Sequence, residues 1–84
     1  MNIHDNNVHA QHKRILDGLR HFGSMTTYDI ERELNISRVA TRIFELRQQG
    51  HPIKKHLEQV IDSFGRKHGR VARYWIASST EVAA

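Results

Sequence analysis

The chain has 84 residues, enough for one domain whose single core must be used economically. Apolar residues make up only 38% of it, yet their periodic placement argues for folding rather than disorder. The absence of cysteine excludes disulfide staples and thiolate metal sites.

No apolar run is long enough to span a membrane, and residues 1–11 lack the charged and apolar regions of a signal peptide. The expectation is a soluble cytoplasmic protein. Net charge is +4, and its distribution says more than its size. Residues 1–41 carry five cations and five acids, whereas residues 42–84 carry eight cations and four acids. Arg66, Lys67, Arg70 and Arg73 cluster without an intervening acid. A basic stripe confined to one segment is the footprint of a polyanion contact. A solvated, solubilising loop is the plain alternative.

Residues 1–6 are polar and aperiodic and are expected to fray. A first helix is predicted from a cap at Asn6 or Asn7 to about Phe22. Its apolar stripe is Val8, Ile15, Leu16, Leu19 and Phe22, with His12 in the intervening slot. Gly23 and Ser24 end it. A second helix begins at Thr26, where Thr26 and Asp29 form a capping-box pair. Ile30 and Leu34 face its core side. Asn35 suits the left-handed conformation of a tight turn, and Ile36 plugs the corner. Ser37 is then expected to cap a third helix over residues 38–49, stopped by Gly50. On a helical wheel Ile36, Val39, Ala40, Ile43, Leu46 and Arg47 form its buried side, with Arg47 snorkelling outward. Arg38, Thr41, Glu45 and Gln48 lie opposite; Arg42, Phe44 and Gln49 flank.

Pro52 ends helical structure. Residues 70–77 alternate as a strand, and Gly65 and Gly69 read as turn residues between it and residues 53–62. The simplest arrangement is an antiparallel hairpin, with Ile53, Tyr74 and Ile76 packed on the helices. Residues 78–84 read as a loose tail. The fold class predicted is α+β: a winged helix over residues 7–77, with a three-helix helix-turn-helix core followed by a β-hairpin wing.

Three strings carry a resemblance: M-T-T-x-x-I-x-x-x-L-x-I over residues 25–36, A-T-R-I-F-E-L-R-x-x-G-H-P-I over 40–53, and V-A-R-Y-W-I over 71–76. Across residues 13–77 the chain resembles the small winged-helix "helix-turn-helix domain" proteins of bacteriophages and prophages. The resemblance implies a DNA-binding fold often carried by phage regulators, without catalytic activity. It does not specify an operator.

A recognition helix must present side chains that reach base edges in the major groove. Arg38 could engage guanine bidentately, Thr41 a base edge or a thymine methyl, and Gln48 adenine. Ser37 at the helix start could hold a phosphate. Glu45 is awkward beside phosphates. It either accepts from cytosine N4 or pairs with Arg42 or Arg38, and the adjacent Arg42 is favoured, making Arg42 more structural than base-reading. In the wing, Arg66, Lys67, His68 and Arg70 are expected at phosphates or the minor groove, with Lys54 and Lys55 adding backbone contacts. The plain alternative for the third helix is a solvated polar face.

The chain holds seven histidines. His9 and His12, three residues apart, are half of a metal site at best, and no third ligand follows at suitable spacing. No nucleophile–base–acid set, paired carboxylates or glycine-rich phosphate loop points to an enzyme, and no cofactor is expected. The leading reading is a transcriptional regulator on double-stranded DNA. The others are a protein-interaction module in a phage replication, recombination or host-takeover complex, and a nonspecific architectural protein. Homodimerisation and a phage or host protein partner are open.

Overall fold

The computed structural model describes residues 6–61 and 63–77. Of the ends expected to be loose, 1–6 and 78–84, all but Asn6 lie outside the described residues. Chain order is α1 (Val8–Phe22), β1 (Met25–Thr26), α2 (Thr27–Leu34), α3 (Val39–Gln48), β2 (Ile53–Ile61) and β3 (Lys67–Ile76).

Local chemistry sets the helix ends. The Asn7 side chain accepts from the Ala10 amide at 2.8 Å and starts α1, and Gly23 closes it at φ +84°. At α2 both halves of the capping box form. Thr26 Oγ1 accepts from the Asp29 amide, and Asp29 Oδ2 accepts from the Thr26 amide. Asn35 ends α2 in the left-handed region. Gly50 ends α3 in a Schellman arrangement, its own amide donating to Arg47 and the His51 amide donating to Leu46.

Ile15 and Leu19 of α1, Ile30 and Leu34 of α2, and Val39, Ile43 and Leu46 of α3 meet in one core. The hairpin closes it from below with Ile53 and Tyr74, and Ile76 packs against its margin. Gly18 sits where α1 meets α2. A Cβ there would lie 2.9 Å from Leu34 Cδ1, so the close approach depends on its missing side chain.

Two α1 positions expected in the core are not there: Val8 and Phe22 are exposed. The reason is length. At 1.5 Å per residue α2 spans about half of α1, so only the middle of α1 is covered. Arg14, not an apolar residue, fills the buried slot facing the end of α2.

The sheet is antiparallel with order β1-β3-β2. The two-residue β1, absent from the sequence reading, pairs Met25 with Tyr74 and Thr26 with Arg73. It ties the entry of α2 to the wing. The hairpin is also longer than expected, because β3 starts at Lys67. Gly69 is therefore inside a strand rather than in the turn. Between the Gln59–Arg70 and Ile61–Lys67 pairs, β3 has two residues opposite one of β2. That is a bulge, and Gly69 at φ +85° supplies the backbone it needs.

Candidate nucleic-acid interface

The turn between α2 and α3 contains two left-handed residues, Asn35 and Arg38, both at φ 54°. The second moves the helix entry. Arg38, not Ser37, is the N-cap of α3, and no side chain caps it. Ser37 lies exposed in the turn, because the first α3 hydrogen bond runs from the Arg42 amide to the Arg38 carbonyl. Arg38 is thus held at the mouth of the helix by a conformation that costs a non-glycine residue about 1–2 kcal/mol.

Val39, Ile43 and Leu46 define the buried stripe of α3. Ala40, expected on that stripe, is exposed, because α1 packs on the other flank. That flank carries a polar clamp. His12 Nε2 lies 2.8 Å from Glu45 Oε1, and Arg42 Nε lies 3.2 Å from the same oxygen. The Arg42 contact is an ion pair without hydrogen-bond alignment. Gln49 Nε2 approaches His12 Nδ1 at 3.5 Å. An Nε2–H imidazole satisfies both sides, donating to Glu45 and accepting from Gln49. Glu45 and Arg42 are therefore drawn toward α1, and the pairing of Glu45 with Arg42 is the one present.

What remains on the solvent side of α3 is Thr41, Phe44 and Gln48, bordered by Ala40 and Arg47, all exposed. Phe44, expected only on a flank, is 57% exposed. It lies three residues after Thr41 and four before Gln48, so at 100° per residue the same wheel places it on their side of the helix, about 60° from Thr41 and about 40° from Gln48. An apolar ring there suits a thymine methyl. Arg47 Nε donates to the Ile53 carbonyl at 2.9 Å, coupling α3 to the first residue of β2.

In the wing, Lys54, Lys55, Arg66, Lys67 and Arg70 are exposed. The His68 side chain lies outside the described part of the structure. Arg73 leaves the basic stripe. It donates to Glu58 at 3.0 Å across β2–β3 and to Ser24 Oγ at 3.1 Å. Hydrogen bonding to Arg73 is the main cause holding the Glu58 carboxyl below its ordinary pKa, and the same contact raises that of Arg73. Asp29 is also held low, chiefly by the Thr26 amide. Among the described residues no cluster of three or more potential metal ligands occurs, and no helix is long and apolar enough to cross a membrane.

A helix whose outer face is clear of the core, entered through a tight turn and followed by a basic hairpin, defines a winged helix-turn-helix module. The chain matches the winged helix-turn-helix domain family over residues 10–79 and belongs to it. Such domains are typically non-enzymatic DNA-binding modules, and membership points to DNA as the partner. No curated protein matches the chain.

Proposed function

We propose that this protein is a transcriptional regulator that docks α3 in the major groove of duplex DNA. The wing follows the neighbouring backbone or minor groove. The observation that carries this reading is the outward face of Thr41, Phe44 and Gln48, with Arg38 at its mouth and the cationic wing beside it. Phosphate contacts from Lys54, Lys55, Arg66, Lys67 and Arg70 would set the register, and the helix face would read bases. The resemblance to phage and prophage proteins suggests that the regulated genes belong to a phage.

Selection from a random duplex library at two salt concentrations tests the proposal. An enriched motif supports it. Salt-sensitive binding without a motif would instead mean nonspecific architecture.

A protein-interaction role has one observation in its favour. An open cleft of about 540 Å³, lined by Phe22, Ser24, Met25, Asp29, Glu33 and Arg73, uses no residue of α3 or the wing tip. Failure to retain any duplex would favour that role.

A further inference from the structure

We propose that the wing tip stacks on DNA bases: Phe64 wedges between neighbouring base pairs in the minor groove while Arg66, Lys67 and Arg70 hold the bordering phosphates. This rests on the DNA-binding reading and adds a contact which that reading does not require.

Phe64 is 81% exposed in the turn between β2 and β3, and Ile61, just before the turn, is 58% exposed. Scattered apolar residues on a surface need no explanation. A large ring in a hairpin turn set among cations is a different arrangement. The Arg66 guanidinium carbon lies 5.3 Å from the centre of the Phe64 ring, so a cation–π contact keeps charge beside the ring in the free chain. Arg66 swings off that face to a phosphate when the ring stacks. Bases along one strand are separated by about 3.4 Å. A ring seated at a base step therefore leaves that guanidinium within side-chain reach of the adjoining phosphates. Minor-groove proteins open base steps with apolar wedges of this kind, paying for unstacking with the added contacts.

The tip is also positioned by the fold. Arg47 fixes the root of β2 to α3, and the bulge at Gly69 re-aims the distal hairpin. An exposed aromatic with cations could equally suit an anionic membrane surface. Continuity with the solvent face of α3 through the Arg47–Ile53 contact favours DNA.

The test uses a duplex carrying the motif enriched by library selection, with A·T-rich flanks and 2-aminopurine placed at successive steps. It is titrated, beside phosphatidylserine vesicles, with the wild-type chain and with Phe64→Ala and Phe64→Leu. Phe64 is outside the core, so the far-ultraviolet spectra of all three should coincide. The expected result is a rise in 2-aminopurine emission at one or two steps, lost in Phe64→Ala and partly kept in Phe64→Leu. Affinity should fall about five-fold to a hundred-fold in Phe64→Ala, the range for truncating a base-stacking aromatic. Tight binding by Phe64→Ala with an unchanged emission profile would overturn the stacking role and leave the DNA-binding reading standing. If the wild-type chain ignores the duplex, or binds only phosphatidylserine vesicles, both fall together.

Discussion

Arg14 Nε of α1 donates to the Leu34 carbonyl at 2.9 Å, and its guanidinium also reaches the Asn35 carbonyl at 3.4 Å. Arg14 is 2% exposed. A cation is thus buried at the C-terminal end of α2, where unpaired carbonyls carry partial negative charge. Replacing it by alanine removes a charged donor and strands the helix-end carbonyls in the interior. Arg14→Ala should lose about 2–4 kcal/mol in urea unfolding. Arg14→Lys should recover little, since a single ammonium cannot reproduce the planar fork. A loss below about 0.5 kcal/mol would mean that water replaces the guanidinium without cost.

The His12–Glu45 contact separates two roles for Glu45. If it serves the clamp, a double-mutant cycle of His12→Ala and Glu45→Ala should give a coupling of about 0.5–2 kcal/mol in stability. Glu45→Gln should then leave the preferred DNA motif unchanged. A motif that changes at one base position in Glu45→Gln, with no coupling to His12, would return Glu45 to base reading.

Features that depend on a few neighbouring residues were legible in the sequence. The Thr26–Asp29 box, the left-handed Asn35 and the stop at Gly50 each need only local backbone chemistry. Those that depend on packing were not. Arg14 looks like one more cation on an amphipathic helix until α2 is seen to end against it. On α3 the wheel puts Ala40 on the buried side and Phe44 on a flank, whereas both are exposed, because a wheel shows the faces but not which flank α1 occupies. The strand β1 is two residues long, and only its pairing with distant Tyr74 and Arg73 makes it a strand. In the wing, local turn chemistry misled: Gly69 serves a bulge, a feature of register between strands.

Arg38 offers a test in which stability and binding move in opposite directions. At φ 54° glycine is free of the steric cost an arginine bears. Arg38→Gly should therefore hold or raise stability, by up to about 1 kcal/mol, while losing the guanidinium at the helix mouth. In DNA selection the same variant should show a relaxed preference at one position, with discrimination weakened by about 1–3 kcal/mol. Lower stability together with an unchanged motif would show that Arg38 serves the turn alone.

The wing cations should act on all sequences alike. With about five phosphates neutralised, log affinity should fall against log salt with a slope of about −4 to −5. Arg66→Ala combined with Lys67→Ala should weaken specific and random duplexes equally and make the slope shallower by about 2. A near-flat salt response in the wild-type chain would remove the basis for assigning these side chains to phosphate.

Acid should undo the α2 cap. The Thr26 amide, donating to Asp29, holds that carboxyl below its ordinary value of about 3.9. The folded chain therefore binds the Asp29 proton less readily than the unfolded chain does. The resulting stability is fully present above about pH 4–5 and is lost as pH falls through the lower folded value. Asp29→Asn removes this linkage, so its deficit against the wild-type chain should be constant from about pH 5 to 7 and shrink on acidification. Urea unfolding midpoints of both chains, taken from pH 7 down to pH 3, measure it. Parallel curves across that whole range would show that Asp29 contributes through its shape and not its charge.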